Sequence, residues 1–173
     1  MSNKKDYYIP FIMTAIVIIV DQISKLLVVQ YMEEYQVIHI LGDFLNLRLV
    51  YNTGAAFSLG AGFGDIARKM LLGVLPAMLL FGLVAVLLKS KELSNAQRWF
   101  ICGIIGGGFG NLIDRFFRPE GVVDFIDVKF FGILGLERWP TFNAADSFIV
   151  CCGIGLGINL ILQGIKQKKL QDS

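Results

Sequence analysis

The sequence has very little histidine and little charge of either sign. Its single histidine is His39, and charged residues make up 17% of the 173 positions. A zinc protease motif such as His-Glu-x-x-His needs two histidines, and a serine or cysteine nucleophile needs a histidine partner that no motif around His39 supplies. The sequence therefore argues against zinc proteases and against serine and cysteine hydrolases. We interpret His39 as a structural surface residue.

The sequence also lacks the signals of nucleotide-binding, nucleic-acid-binding and disulfide-bonded proteins. No Gly-Lys-Ser/Thr follows the glycine-rich stretch 103–110, and the formal net charge is only +2, with scattered basic residues. The cysteines Cys102, Cys151 and Cys152 lie within apolar runs, as packing residues do. We predict no nucleic-acid partner, no cofactor and no metal, with a carboxylate-only magnesium or calcium site as an open alternative.

Apolar residues are what the sequence has in abundance. They make up 55% of the chain, and the mean hydropathy of +0.63 is too high for an ordinary soluble domain of this size. Because a span needs roughly 20 residues, the chain has room for one domain with at most four spans. We predict an all-α integral membrane protein, a single domain over residues 1–173, with spans at about 9–29, 69–88, 99–113 and 144–165.

Basic residues predict how these spans are oriented. Three of the polar segments that flank the spans are basic, through Lys4, Lys5, Lys89, Lys91, Arg98, Lys166, Lys168 and Lys169. Lysine and arginine accumulate on the cytoplasmic side of membrane proteins. We therefore predict that both termini are cytoplasmic and that the two long connections, 30–68 and 114–143, lie on the outer side.

The two outer connections carry different patterns. Residues 44–51 alternate apolar and polar side chains, which predicts strands of a small extracytoplasmic β-sheet. Residues 125–136 are mostly apolar but contain Asp127 and Lys129, so we expect a short interfacial helix in the headgroup layer and not a fifth span. Phe130 and Phe131 in this segment could form a flap over a neighbouring cleft.

Polar residues inside apolar segments are functional candidates, because the bilayer makes them costly. Here they share one depth near the outer ends of the spans: Asp21, Lys25, Asn111, Asp114, Arg115, Asn143 and Asp146. Asp21 and Lys25 are four residues apart on one helical face and can form an ion pair, which could be purely structural. Asp114 lies beside Arg115, which suggests an ion pair that orders the end of the third span.

Asp124 and Asp146 are the strongest candidates for catalysis. Asn143 is a plausible N-cap of the fourth span, and Asp146 then lies in its first turn, so capping alone could explain Asp146. Asp124 lies in the apolar run 122–126, where a lone carboxylate needs a partner or a proton. Two adjacent carboxylates share a proton, and one can act as base while the other acts as acid. We predict that Asp146 is the ionised partner and Asp124 the protonated one, with Asp114 as a reserve candidate.

Five motifs together resemble those of bacterial lipoprotein signal peptidases. They are Asp-Gln-Ile-Ser-Lys at 21–25, Asn-Thr-Gly-Ala-Ala-Phe at 52–57, Gly-Gly-Phe-Gly-Asn-Leu-Ile-Asp-Arg at 107–115, Val-Val-Asp-Phe-Ile at 122–126, and Phe-Asn-Ala-Ala-Asp-Ser at 142–147. All five follow the order of the family and extend from the first span to the last. The resemblance implies an aspartic endopeptidase of the bacterial inner membrane, also called signal peptidase II, and we expect the protein to be a monomer. It implies cleavage of prolipoproteins just before a diacylglyceryl-modified cysteine.

The resemblance also implies roles for individual residues. The catalytic aspartates of the family match Asp124 and Asp146. A second set matches residues that line the cleft or position the peptide: Asn52, Gly54, Asn111, Arg115 and Asn143. A third set would support the site: Asp21, Lys25 and Asp114. Membrane lipids and globomycin-type inhibitors are the further partners that the resemblance implies.

A small transporter or ion-channel subunit is the alternative function. Its carboxylates would be Asp21, Asp114, Asp124 and Asp146, since intramembrane carboxylates also mark ion pathways. A proton or cation relay should distribute carboxylates through the depth of the bilayer. In this sequence they cluster near one face, and the inner halves of the spans contain none, which favours the peptidase.

Overall fold

The computed structural model describes residues 7–54 and 70–171, and within these ranges four helices are long and apolar enough to cross a membrane. They are α1 (Phe11–Tyr31), α2 (Met70–Lys89), α3 (Asn95–Phe117) and α4 (Ala144–Gln171). The four predicted spans are thus confirmed as helices. The predicted start of the second span at residue 69, the basic flank Lys4 and Lys5, and the part of the cleft motif at 55–57 lie outside the described residues.

The third helix is longer than the predicted span 99–113 because its start is capped. The Ser94 hydroxyl accepts a hydrogen bond from the Gln97 backbone N–H at 3.3 Å, and the Gln97 side chain accepts one from the Ser94 N–H at 2.9 Å. This capping box satisfies two backbone donors that a helix start leaves free. The helix therefore begins four residues before the apolar run does.

Glycines let α3 pack closely between α1 and α4. A Cβ atom on Gly106 would lie 2.9 Å from the Thr14 carbonyl oxygen, and one on Gly107 would lie 2.5 Å from the Ala145 carbonyl oxygen. No side chain fits at those separations, so the backbones of neighbouring helices approach as small residues in membrane helices allow. This close packing places α3 at the centre of the bundle, next to the start of α4.

Arg98 fixes the end of the bundle where α2 ends and α3 begins. Its side chain is only 2% exposed, and its guanidinium donates to the carbonyl oxygens of Leu87 at 2.8 Å and Ser90 at 2.6 Å. The guanidinium also lies over the Tyr7 ring, 4.1 Å from its centroid. These contacts satisfy carbonyl groups that the C-terminus of α2 leaves unpaired.

A three-stranded antiparallel sheet covers the opposite end of the bundle. Its strands are β1 (Val37–Leu41), β2 (Leu45–Asn52) and β3 (Val122–Val128), in the order β1-β2-β3. The sheet packs on the end of α1 through a cluster of apolar side chains: Val28, Met32, Leu49, Val123 and Phe125. The predicted small sheet is confirmed.

The apolar run that contains Asp124 is the edge strand β3, although the sequence pattern predicts strands only around residues 44–51. Asp124 pairs with Val50 of β2 across the sheet. Val123 and Phe125 of β3 pack against Val28 and Met32 near the end of α1, so the protein interior and not the headgroup layer covers them. The sequence pattern did not distinguish these two ways of burying an apolar run.

The predicted short interfacial helix corresponds to a single 3₁₀ turn, Ile133–Gly135. It lies in a loop whose two sides are bridged between Lys129 and Arg138. Both side chains form ion pairs with Asp43 in the β1–β2 turn, at 2.7 Å and 3.0 Å, and the Phe131 ring stacks on Phe44. The structure thus packs the predicted flap segment against the β1–β2 turn, at the opposite end of β2 from Asn52.

Candidate active site

The ten predicted site residues form one connected network at the sheet-covered end of the bundle. Hydrogen bonds and ion pairs link Asp21, Lys25, Asn52, Gly54, Asn111, Asp114, Arg115, Asp124, Asn143 and Asp146 without a break. The residues come from α1, the end of β2, α3, β3 and the start of α4. Polar residues that the sequence places at one depth near the outer ends of the spans therefore contact one another in the structure.

Asn143 holds the two candidate catalytic aspartates beside each other. Its side-chain Nδ2 donates to Oδ1 of Asp124 at 2.7 Å, and its backbone N–H donates to Oδ2 of Asp146 at 3.2 Å. Its Oδ1 accepts the Asp146 backbone N–H at 3.0 Å, which is the predicted N-cap interaction. One residue thus caps α4 and contacts both carboxylates.

The end of β2 contacts the other side of Asp124. Nδ2 of Asn52 donates to Oδ2 of Asp124 at 3.0 Å, and Oδ1 of Asn52 accepts the Gly54 N–H at 3.0 Å. Since a backbone N–H can only donate, it fixes which way round the Asn52 amide lies. Arg115 donates to the Gly54 carbonyl oxygen at 3.3 Å, so α3 also holds this segment in place.

Asn111 connects the aspartate pair to the interior of the bundle. Its Nδ2 donates to Oδ1 of Asp146 at 2.8 Å, while its Oδ1 accepts from Nζ of Lys25 and Nδ2 of Asn143, both at 3.0 Å. An ammonium group can only donate, so it fixes the orientation of the Asn111 amide. Asp146 therefore faces a donor at each of its two oxygens.

Lys25 lies beneath Asn111 in a buried ion cluster. Its Nζ is 2.8 Å from Oδ2 of Asp21 and 2.8 Å from Oδ2 of Asp114, and all three side chains are fully buried. The predicted Asp21–Lys25 pair is thus present. The predicted pairing of Asp114 with Arg115 is wrong, because consecutive helical residues face different directions. Arg118, one turn later on the same face as Asp114, pairs with it at 3.0 Å.

Three residues that the sequence analysis did not assign also support the site. Nε2 of Gln22 donates to Asp21 at 3.1 Å and to Asp114 at 3.3 Å. Gly121, with a φ of +108°, lies so close to Asn52 that a Cβ atom would be 2.6 Å from the Asn52 carbonyl oxygen. Arg118 is the third. Two of them had a signal in the sequence. Gln22 is a polar residue next to Asp21 inside a span, and Arg118 lies four residues after Asp114.

Burial dominates the electrostatics of Asp124, whose side chain is only 3% exposed. Burial raises the pKa of Asp124 to about 7, with the nearby Asp146 charge adding to the rise and the Asn52 and Asn143 hydrogen bonds opposing it. A carboxylic acid with a pKa near neutrality can hold or release a proton at physiological pH. The raised pKa of Asp124 agrees with the prediction that Asp124 is the protonated partner.

A cavity of about 520 Å³ opens beside the network. Its polar lining comes from Asn52, Thr53, Arg115 and Arg118, and the rest of its described wall is largely apolar, with Leu72, Val74, Phe116 and Phe117. Asp124 and Asp146 are not among its lining residues. Asn52 connects the cavity to the pair, because it lines the cavity and donates to Asp124.

Within the described ranges, no group of three His, Cys, Asp or Glu residues has the arrangement of a metal site. His39 is exposed, and its Nδ1 lies 2.8 Å from the Asn46 side-chain amide. This contact fits its interpretation as a structural surface residue.

Comparison with known proteins gives consistent matches over nearly the whole chain. The family described as Signal peptidase (SPase) II matches residues 13–162. The lipoprotein signal peptidase of Treponema denticola is 78% identical over 173 residues, which is all of both chains, and that of Treponema pallidum is 47% identical over 96% of this chain and 88% of its own.

Solved structures match the fold as well. One described as a bacterial membrane enzyme superposes with a TM-score of 0.75 at 28% identity, covering 90% of this chain and 88% of its own. A second, with the same description, gives a TM-score of 0.74 at 27% identity. The family match over most of the sequence and full-length relatives at high identity show that this chain belongs to the signal peptidase II family.

Proposed function

We propose that the protein is an aspartic endopeptidase that removes signal peptides from prolipoproteins, cutting immediately before a diacylglyceryl-modified cysteine. The observation that carries the aspartic mechanism is the buried Asp124 held beside Asp146 by Asn143. Membership in the signal peptidase II family supports the substrate class. The concentration of the carboxylates at one end of the bundle argues against the alternative of a proton or cation pathway.

The surroundings of the two aspartates support a division of labour. Asp146 is less buried than Asp124 and lies in the first turn of α4, where the helix dipole favours a negative charge, so it is suited to be the ionised base, which takes a proton from the attacking water. Asp124, with a pKa of about 7, is suited to carry the proton that polarises the scissile carbonyl. As the C–N bond breaks, the proton that Asp146 took from the water is delivered to the amine of the leaving cysteine, which leaves Asp146 ionised again. No nucleophilic side chain is required.

We propose that the substrate occupies the cavity beside Asn52 and Arg115. Its apolar walls suit acyl chains or signal-peptide side chains, while Asn52 and Arg115 supply polar groups, with Gly54 between them holding both side chains in place near Asp124. Globomycin-type inhibitors would occupy the same cleft. Neither Asn111 nor the fully buried Asn143 lines this cavity, so we assign both to positioning the aspartates and not to substrate contact.

We propose that the site faces the outer side of the bacterial inner membrane, with both termini cytoplasmic. The basic residues Lys89 and Arg98 lie at the end of the bundle away from the sheet, as do Lys168 and Lys169 at the end of α4. A substrate that carries acyl chains can then enter laterally from the outer leaflet. We also propose that the enzyme acts as a monomer.

Purified protein should cleave a synthetic prolipoprotein whose cysteine carries a diacylglyceryl group, and mass spectrometry should place the cut directly before that cysteine. A precursor with the same sequence and an unmodified cysteine is the matched control and should be cut far more slowly. Because two carboxylates suffice to activate water, adding EDTA should leave the rate unchanged. Equal cleavage of both precursors would contradict the substrate assignment, and loss of activity in EDTA would contradict the metal-free mechanism.

The pH dependence of cleavage tests the role of Asp124. We expect kcat/KM to fall as pH rises through about 7, because Asp124 then loses the proton that the mechanism requires. The Asn52 hydrogen bond lowers the pKa of Asp124, so Asn52→Ala should raise that pKa further and move the falling limb to higher pH. A limb that stays in place or moves to lower pH in Asn52→Ala would remove Asp124 from the assignment.

A further inference from the structure

Two buried carboxylates bind the backbone directly next to the catalytic pair. Oδ1 of Asp21 accepts the N–H of Ala145, the residue before Asp146, at 3.0 Å. Oδ2 of Asp114 accepts the N–H of Val123, the residue before Asp124, at 3.3 Å. Asp21 therefore holds the backbone next to Asp146, and Asp114 holds the backbone next to Asp124.

Lys25 joins these two contacts. Its Nζ lies 2.8 Å from Asp21 and 2.8 Å from Asp114, so an unbroken path runs from the start of α4 through α1 and α3 to β3. The third donor of the ammonium group goes to Oδ1 of Asn111, which donates in turn to Asp146. All the donors of Lys25 are used, and each leads to a residue that positions the pair.

Such a cluster has no obvious advantage for stability alone. Taking three charged groups out of water is costly, and well-packed apolar residues often stabilise an interior as much as a buried ion cluster does. The structure nonetheless places Asp21, Lys25 and Asp114 where each is fully buried and where packing glycines such as Gly110 make room for them. Apolar side chains could not form the directional hydrogen bonds that Asp21 and Asp114 accept from backbone N–H groups.

We infer that Lys25, together with Asp21 and Asp114, is a positioning unit that sets the separation and orientation of Asp124 and Asp146. This inference rests on the proposed aspartic peptidase function. Lys25 does not touch the reacting atoms. It acts through Ala145 and Val123 at the backbone and through Asn111 at the side chain, none of which lines the cavity, so we expect its loss to change the geometry of the pair more than the binding of substrate.

Lys25→Met tests the inference, because it keeps the length of the side chain and removes its charge. We expect kcat for the lipidated precursor to fall by about 100-fold or more, the order of effect that a displacement of about 1 Å has on catalysis, with KM within about threefold of wild type. Arg98→Met is the matched control. It removes an equally buried cation at the other end of the bundle, so it should lower the thermal stability of the protein in detergent and leave kcat near wild type at a temperature where the bundle is folded.

A double variant separates geometry from charge balance. Asp21, Lys25, Asp114 and Arg118 together are neutral, Lys25→Met leaves one negative charge, and Lys25→Met with Asp114→Asn restores neutrality. We expect thermal stability to recover in the double variant while kcat stays low, since the link between the two backbone contacts is still missing. If Lys25→Met is too unstable to assay, the kcat of the double variant is compared with that of wild type, and a low kcat at recovered stability supports the inference.

Recovery of kcat together with stability would overturn the inference, as would wild-type kcat in folded Lys25→Met. Either result leaves the proposed function intact if wild-type protein cleaves the lipidated precursor and Asp124→Asn does not. Failure of wild-type protein to cleave that precursor would instead refute the proposed function.

Discussion

Asp124→Asn and Asp146→Asn should each lower kcat for precursor cleavage by about 10,000-fold or more, the order of loss that follows removal of one member of a catalytic unit. Near neutral pH an amide can neither accept the proton of the attacking water as a base nor donate a proton as an acid. The shape of the side chain is unchanged, so the bundle should still insert and fold. The rate is measured on the lipidated precursor, and folding is measured by thermal unfolding in detergent.

Asp127→Asn is the matched control for this prediction. Asp127 lies on the same strand as Asp124 and is equally buried, but it pairs with Arg138 at 2.6 Å on the far part of the sheet. Its replacement should affect the packing of the loop after β3 and leave kcat within about tenfold of wild type, as expected for a residue outside the catalytic unit. Substantial activity in Asp124→Asn or Asp146→Asn would remove that residue from the pair.

Asn143→Asp is expected to have the next largest effect, a loss of at least about 100-fold in kcat, comparable with removal of one pre-organised donor. The new carboxylate would replace the Nδ2 donor that now faces three acceptors, the Asp124 carboxylate, the Asn111 amide oxygen and the Val123 carbonyl oxygen. Aspartate caps helices as well as asparagine does. The start of α4 should therefore remain capped while the aspartate pair is disrupted.

Ser147→Ala provides the comparison for Asn143→Asp. Ser147 is in the same first turn of α4, and its hydroxyl donates to the Asn143 carbonyl oxygen at 2.9 Å without reaching either aspartate. Its loss should cost at most about 1 kcal/mol of stability, the usual net value of one hydrogen bond, and little activity. Similar losses of kcat in both variants would show that the first turn as a whole matters, and not the donor on Asn143.

The sequence predicted the helices well because a long apolar run is compatible with few structures other than a membrane-spanning helix. It predicted β3 poorly. Residues 122–128 are apolar enough for either a buried strand or a segment at the membrane surface, and only the packing of Val123 and Phe125 on α1 decides between them. The capped start of α3 at Asn95 was missed because Ser94 and Gln97 precede the apolar run that marked the span.

The residues of the site were predictable because charge inside apolar segments is rare. Their partners were less so. Spacing of four residues correctly paired Asp21 with Lys25, whereas adjacency wrongly paired Asp114 with Arg115, since neighbours on a helix diverge. The bridging of both aspartates by Asn143 depends on where β3 meets the start of α4. Contacts between distant segments of this kind are fixed only by tertiary packing.

Processing of lipoproteins in cells tests the central claim most directly. In bacteria depleted of their own lipoprotein signal peptidase, wild-type protein should restore mature lipoproteins, as seen by the shift from precursor to mature size on gels. The Asp124→Asn variant, present in the membrane at the same level, should leave the uncut precursor accumulated. Equal rescue by the two proteins would contradict the account.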